Sequence, residues 1–521
     1  MRRTKTFSLF PFNKGLDLSS VPGSQDPRSL RTAKNIVIRN KGSLRKAPGI
    51  RSIPYAGGKD GIQSATQFFG TTGAGQTNEI VQVRKGRVEV IRDNQTVDLG
   101  LAVSDTDTVV FEKFNNKLII HFENTRPKVY SPGGTTLSNL AILSGHVDAP
   151  PSFGVKHHES HWYAGRGNYP HRVTKSAIND TTNYTLIAGG NQFAIDEGDG
   201  DPVGLTGLSR TFRNDLYAFK WRSIHRLYLG PYGYSREQHS EGVGCVHHNT
   251  IVTMVNDIIF VSSSGIHALS STQKYGAAEE GTLSYPIYEW FQENVNWAAS
   301  KTMKAAYDQQ NNMYLLSYPS YGSPVPDRIL GFNILTKEFF TWEDCEYPVV
   351  TEYFDLGRQS VMIGCNGHGL GVLDSKYTTR YGEEFDVEIK TGIIYPLDEK
   401  QSQLTFTRAF LYVKPLPSSF EITFRWYVDG ELVDEKEIDL FGDGTGSQIS
   451  VDTIGDTDDE TTIQGNKKNL KPILIDLNCE GSAIEFEIVA EPDGENDTNF
   501  EIYGLVFEYE YNEDSDDPKA S

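Results

Sequence analysis

Cysteine is scarce in this 521-residue chain: Cys245, Cys345, Cys365 and Cys479 are the only four, and no two form a C-x-x-C pair. That spacing excludes a disulfide-rich scaffold and a zinc ribbon, and it predicts a chain that folds without disulfides in a reducing cytoplasm. Nowhere do 18 apolar residues follow one another, so no membrane-spanning helix is expected. The apolar stretch 7–12 behind Arg2 and Arg3 is broken by Pro11 and is too short for a secretory core. G-x-S-x-G, P-loop and H-E-x-x-H motifs are missing, as is the Ser-x-Asp-x-Gly-x-x-Thr-Trp box of sialidase propellers. The expectation is therefore no enzyme activity, no cofactor and no resident metal.

Helical periodicity is scarce as well. One candidate helix covers 286–297, with Ile287, Trp290 and Phe291 on one face and Pro286 in its first turn. A shorter candidate begins at Asp26-Pro27, with Leu30 and Ala33 turned inward. What the chain does have is aromatic residues, 27 Phe, 26 Tyr and 6 Trp, in short runs with Val, Ile and Thr that are bounded by Asn, Asp, Gly and Ser. Such runs are strands joined by turns.

A weak repeat organises the first 380 residues. A polar turn, often with Asn, precedes a strand with paired apolar residues, as in Asn115-Asn116-Lys117-Leu118-Ile119 and Arg213-Asn214-Asp215-Leu216-Tyr217. Leu118, Trp162, Leu216, Ile258, Tyr314 and Val361 align, with an earlier copy around Ile80. A second strand follows in several copies, at 128–130, 225–228, 266–269, 328–330 and 370–373. A unit of about four short strands in roughly 40–50 residues cannot cover its own sheet faces, whereas units packed radially cover one another. The predicted fold class is all-β: a β-propeller of about six or seven blades over 61–380, with a string of unrelated β-sandwiches as the rival. After Asp374 longer strands alternate apolar and acidic residues, as in Ile484-Glu485-Phe486-Glu487-Ile488, which predicts an antiparallel β-sandwich over 381–511. A mobile acidic loop is expected at 441–465, a disordered tail at 512–521, and an N-terminal arm and docking or closing segment at 1–60.

Charge is divided along the chain. The net charge is −20, yet residues 1–60 hold 13 basic and 3 acidic residues, while 380–521 hold 11 basic and 34 acidic. A basic head and an acidic rear suit a subunit that meets different partners at its two ends, although solubility alone also accounts for the acidity. Sequence-specific DNA binding is disfavoured, because it needs a basic footprint against phosphates. The candidate docking residues are Arg2, Arg3, Lys5, Arg39, Arg45 and Arg51. The histidine clusters 157, 158, 161 and 247, 248 (with Cys245) lack a second ligand pair and read as structural. The acidic loop 196–201 lacks the spacing of a calcium loop. Trp162, Trp221, Trp290 and Trp342 are either blade filling or a sugar platform.

The opening residues carry a resemblance. Gly15, Pro27, Leu30, Asn35, Gly42, Leu44 and Gly49 fit the pattern G-L/I-x-x, P-x-x-L, N-x-x-x-x-x-x-G-x-L-x-x-R-x-G, with Lys46-Ala47-Pro48 where the pattern has its arginine. Pro170-His171-Arg172-Val173-Thr174-Lys175-Ser176 is similar to the blade strand P-x-R-V/I-x-x-S. Together these resemble the tail hub or nozzle proteins of short-tailed bacteriophages, also called head-completion or DNA-stabilisation proteins, over most of residues 10–380. The resemblance implies a structural virion protein assembled in the bacterial cytoplasm. Its partners would be further copies of itself in a ring (typically a hexamer), the portal-adaptor protein, tail fibres or a tail plug, and viral DNA passing without sequence recognition. The alternatives are a glycan-binding or glycan-degrading tail propeller and a scaffolding propeller with peptide partners.

Overall fold

A computed structural model describes every residue except 1, 22, 40–41, 56, 144–149, 165–168, 199, 202, 273–281, 344, 356, 398–402, 417–418, 442–470, 492–498 and 513–521. The chain divides into two compact units, one of Gly49–Ile334 with Thr341–Tyr377 and one of Met1–Pro48, Leu335–Phe340 and Thr378–Ser521.

The first unit is a β-propeller of seven blades among the described residues, each an antiparallel sheet. Blade 1 consists of Ile62–Thr72, Gly75–Arg84, Arg87–Arg92 and Gln95–Ala102, and blade 2 of Val109–Phe114, Lys117–Phe122, Lys128–Tyr130 and Ser138–Asn139. Blade 3 runs through Gly154–His157, Ser160–Ala164, Arg172–Lys175 and Asn191–Ala194, and blade 4 through Leu205–Leu208, Leu216–Lys220, Ser223–Gly230 and Gly233–Glu241. Blade 5 is short, with Val252–Thr253, Ile258–Ser262 and Gly265–Ala268. Blade 6 contains Lys304–Asp308, Met313–Tyr318 and Arg328–Asn333. Blade 7 takes Val349–Asp355, Arg358–Cys365 and Gly369–Asp374 from its own stretch of chain and its fourth strand, Gly49–Ser52, from the N-terminal side.

The repeat seen in the sequence marks one structural position. Leu118, Trp162, Leu216, Ile258, Tyr314 and Val361 all lie in the second strand of their blades, and each is fully buried. The polar turn before them closes the hairpin between first and second strands. Asn115 and Asn116 take φ of 46° and 56° there, and Arg213 and Asn214 take 49° and 74°. Asparagine tolerates this left-handed geometry, which a two-residue hairpin requires. The buried residues then pack between neighbouring blades. Val81, Val83 and Val90 of blade 1 meet Leu118, Ile120 and Phe122 of blade 2, and Trp162 of blade 3 meets Leu216 and Leu227 of blade 4. Ile62, Ile80 and Ile91 of blade 1 meet Val349, Met362 and Leu370 of blade 7, so the last blade packs on the first and the ring is closed.

The second unit is a β-sandwich. One sheet runs Ile36–Ile38, Leu44–Lys46, Glu501–Asn512, Leu404–Val413, Lys471–Gly481, with Arg2–Leu9 alongside Glu501–Asn512. The other contains Leu30–Lys34, Val387–Thr391, Ile484–Ala490, Glu421–Val428 and Glu431–Asp439 in that order. Burial alternates along Glu421–Val428, as the period-two pattern predicts. Phe486 of one sheet lies 5.5 Å from Phe507 of the other, which sets the core between them.

Three expectations are corrected. Residues 1–48 are not a separate arm: Arg2–Leu9 pairs residue by residue with Glu501–Asn512, and Leu30–Lys34 pairs with Val387–Thr391. Gly49–Ser52 acts as a closing segment, with Ile50 opposite Leu373 and Arg51 opposite Val372. The short helix at Asp26 is instead a turn, held by Ser29 N donating to Asp26 O at 2.8 Å and by Asp26 accepting from Arg28, after which buried Leu30 enters a strand. Cys345 and Cys365 form a disulfide, with Cα atoms 6.2 Å apart. Backbone pairing of the adjacent Asn366 N with Glu346 O at 3.3 Å sets them opposite each other, an outcome of register that sequence spacing does not reveal. The candidate helix at 286–297 is found as a 3-10 turn Tyr285–Ile287 and an α-helix Tyr288–Asn294. The expected mobile loop lies, after Phe441, outside the described residues, as does the expected tail after Asn512.

Because, among the described residues, Gly49–Ser52 is the only strand that blade 7 takes from the N-terminal side, weakening it tests closure directly. Ile50 is 1% exposed. Ile50→Ala is expected to lower the unfolding free energy by about 2–4 kcal/mol, read by urea denaturation. An unchanged midpoint contradicts a closing role.

Candidate functional site

The first strands of the blades converge on the propeller axis, where they line a cavity of about 140 Å³. Glu112 and Lys113 come from blade 2, Arg210 follows the first strand of blade 4, His248 and Asn249 precede blade 5, Lys304 opens blade 6, and Glu352 comes from blade 7. Arg210 Nη1 donates to Glu352 Oε2 at 3.0 Å, joining blades 4 and 7 across the axis. The charge of Glu352 holds the Arg210 guanidinium above its ordinary value. Burial pushes the Glu112 carboxyl up, against the pull of Arg210, and its Oε1 accepts from Lys156 N at 3.1 Å. Burial pushes the Lys113 ammonium down, with Arg210 adding to the effect. Buried Lys304, pushed down to about 7 by desolvation, donates to Gln63 O of blade 1 and at 2.7 Å to Pro348 O ahead of blade 7. Opposite charges on this ring therefore answer one another, and the visible work of the cluster is to tie blades 1, 4, 6 and 7 together.

A larger cleft of about 830 Å³ opens between the loops of blades 3 and 4. Asp196, Asp201, Trp221, Arg222, Gln238 and Glu241 line it. Asp196 is engaged by Arg236 at 2.9 Å and by His225 at 3.6 Å. Of the four tryptophans considered for a sugar platform, Trp162 and Trp342 are blade core and only Trp221 lines this cleft.

The histidines form hydrogen-bond chains inside the propeller. His121 Nδ1 is 3.2 Å from Pro151 O, a group that only accepts, so Nδ1 carries the proton and Nε2 is an acceptor. His161 Nε2, 3.3 Å away, must then donate to it, which leaves His161 Nδ1 to accept from the Tyr184 hydroxyl at 2.8 Å. Both rings are neutral in this arrangement. Burial holds His121 down at about 4 and His161 well below its ordinary value, and the closeness of the two rings further disfavours charging both. His248 Nδ1 accepts from Leu208 N at 3.2 Å and His247 Nδ1 from Asn249 N at 3.2 Å. Cys245 Sγ lies 3.2 Å from His247 O, and burial raises its thiol to about 12. Among the described residues no three His, Cys, Asp or Glu side chains converge as metal ligands.

The six candidate docking residues do not form one patch. Arg2, Arg3 and Lys5 lie on the sandwich strand Arg2–Leu9, where Lys5 sits 4.7 Å over the Tyr511 ring. Arg39 and Arg45 flank Glu501. Burial alone would raise the Glu501 carboxyl, but Ser43 Oγ donating at 2.6 Å and Arg39 Nη1 donating at 3.2 Å hold it below its ordinary value. Arg45 stands opposite Glu501 in register, its guanidinium lowered by burial and by Arg39. Arg51 belongs to the propeller, where it donates to Asp355 at 2.5 Å. Positive composition in the first sixty residues hid these internal counter-ions, because each partner carboxylate lies hundreds of residues away.

No family model matches the chain, and no curated protein matches it. Solved structures with similarity include the extracellular domain of a protein described as hybrid two component system BT3049 from B. thetaiotaomicron, at 9% identity and TM-score 0.40. That alignment covers 63% of this chain and 42% of the other, so this chain spans less than half of its length. The WD40 β-propeller domain of Doa1 aligns at 7% identity and TM-score 0.39, covering 63% and 97% of the two chains. A chain of the Mitotic Checkpoint Complex aligns at 10% identity and TM-score 0.36, covering 63% and 91%.

Two outcomes follow. Buried histidines that stay neutral in the fold take up protons on unfolding below pH 6.5, so stability falls as pH drops from 6.5 toward 4. By pH 5 each such imidazole is expected to cost about 2 kcal/mol, and melting temperatures measured from pH 7 to 5 should fall steeply. A flat profile contradicts the neutral chain. Arg39→Met should lower the melting temperature at pH 7 and have less effect near pH 4. The Glu501 pairing stabilises the fold above the carboxyl's unfolded value and is lost as pH falls through its folded one. An equal effect at both pH values contradicts the pairing.

Proposed function

We propose that this chain is a structural subunit of a short phage tail, a nozzle or hub protein whose copies form a ring below the portal and its adaptor. In this role the ring extends the DNA channel, retains packaged DNA and supports fibres or a plug. The reading rests on the opening motif, whose positions each have a defined place in the fold. Gly15, at φ 63°, lets Phe339 N come within 2.9 Å of where a Cβ would sit, so any side chain there clashes with backbone. Leu30 and Leu44 are fully buried, and Asn35, at φ 57°, donates from Nδ2 to Asp386 O at 2.9 Å. Lys46, where the pattern has its arginine, is buried with Nζ 4.5 Å over the Phe385 ring. Gly49 begins the strand that closes the propeller. A motif that builds a sandwich and closes a propeller within 35 residues is a demanding pattern to meet by chance, and this supports the family resemblance. The acidity of the chain fits a wall past which DNA moves without adhering.

Incubating the purified chain with portal-adaptor complexes tests the role. Capture on the complex, with ring-shaped particles seen by negative-stain microscopy, is expected. A chain that neither binds the complex nor assembles contradicts it. The cleft at Trp221 favours one second reading, a glycan-binding propeller, because an aromatic ring beside carboxylates and an amide is the usual lining of a sugar site. Glycan binding that is lost in Trp221→Ala while melting is unchanged would establish that reading, and no glycan binding by the parent chain removes it.

A further inference from the structure

Among the described residues the sandwich has two exposed edge strands of opposite charge. Arg2–Leu9, sequence RRTKTFSL, pairs on one side with Glu501–Asn512 and carries three positive and no negative residues. Arg3, Thr4, Lys5, Thr6 and Ser8 are exposed. Glu431–Asp439, sequence ELVDEKEID, ends its sheet, pairs on one side with Glu421–Val428 and carries five acids and one lysine. Residues 431–437 are all exposed, including Leu432 at 53% and Val433 at 45%. The two strands have eight and nine residues.

They stand on opposite sides of the sandwich. In the first sheet the order runs from Arg2–Leu9 beside Glu501–Asn512, through Leu404–Val413, to Lys471–Gly481 at the far edge. Lys436 of the acidic strand donates from Nζ to Leu474 O on that far strand at 3.4 Å. An exposed edge is a template for another strand, and charge is the usual guard against it. The guard here has a defined selectivity. Two copies of the basic edge would set like charges opposite one another, as would two copies of the acidic edge, and both pairings are unfavourable. Basic against acidic is the pairing the charges favour.

We infer that the acidic edge Glu431–Asp439 of one copy accepts the basic edge Arg2–Leu9 of the next, so that copies join head to tail by continuing a sheet across the boundary. The identification of the partner as a second copy rests on the ring reading above. Because the two edges differ and lie on opposite sides, the contact is heterologous, and repetition gives a closed ring or an open filament and never a two-fold dimer. The main-chain hydrogen bonds of strand addition supply affinity, and the charges set direction and exclude the like-with-like alternatives.

Charge reversal of the full chain tests this. Arg3→Glu with Lys5→Glu, and separately Glu431→Lys with Glu437→Lys, should each weaken assembly at least tenfold in sedimentation velocity, with greater salt sensitivity lost in parallel. The fourfold variant with both edges reversed should assemble again, which a merely misfolded edge would not do. Cross-linking mass spectrometry of the parent assembly should link residues 2–9 to 431–439 between copies. Assembly by both double variants at parent strength, with links elsewhere, overturns the edge pairing and leaves the ring reading standing. A parent chain that stays monomeric even when captured by portal-adaptor complexes overturns the edge pairing alone, whereas one that is monomeric and uncaptured overturns both.

Discussion

A blade of three or four short strands has two sheet faces and cannot bury either by itself. That constraint governs the propeller: each blade must be covered by its neighbours, so the row of blades has to come round and meet itself. The closing contacts are specific. Ile62, Ile80 and Ile91 of blade 1 pack on Val349, Met362 and Leu370 of blade 7, while Lys304 ties blade 6 to both sides of the join. Gly49–Ser52 completes blade 7 more than 300 residues away from its partner strand, which makes closure a long-range event bought at loop-entropy cost. The charged axis serves the same end, since the Arg210–Glu352 pair joins blades 4 and 7.

The sandwich obeys a similar logic. Its first sheet is woven from both ends of the chain, with Arg2–Leu9 and Leu44–Lys46 laid against Glu501–Asn512. Glu501 shows how tightly the two ends are joined, since Ser43 and Arg39, next to the strands Leu44–Lys46 and Ile36–Ile38, keep a nearly buried carboxylate ionised. Basic residues near the start of the chain and acidic residues near its end are therefore partly each other's partners. What remains exposed is sorted by edge: positive on Arg2–Leu9 and negative on Glu431–Asp439.

How much of this could be read in advance depends on the range of the interaction. The hairpin signal is local, an Asn-bearing turn followed by paired apolar residues, and it located the second strand of blades 2 to 7 through Leu118, Trp162, Leu216, Ile258, Tyr314 and Val361. Alternation located the sandwich strands for the same reason. Pairing between distant strands leaves no local trace, so residues 1–48 read as an arm although they belong to the sandwich unit, and the carboxylates that stand beside Arg39, Arg45 and Arg51 could not be seen. Cys345 and Cys365 were hidden likewise, because register and not spacing brings them together. The axial cluster was invisible for another reason: Glu112, Lys113, Lys304 and Glu352 are ordinary strand residues, and Arg210 follows a strand, until the ring gathers them.

Hydrogen exchange at residues 49–52 and 369–374 tests the account at its centre, the closure of the ring by an N-terminal strand. Amides on both strands are expected to be protected together and to exchange only through the same cooperative opening, with matching dependence on denaturant. Fast, independent exchange of 49–52 beside a protected 369–374 would contradict it, because the ring would then hold without its closing strand.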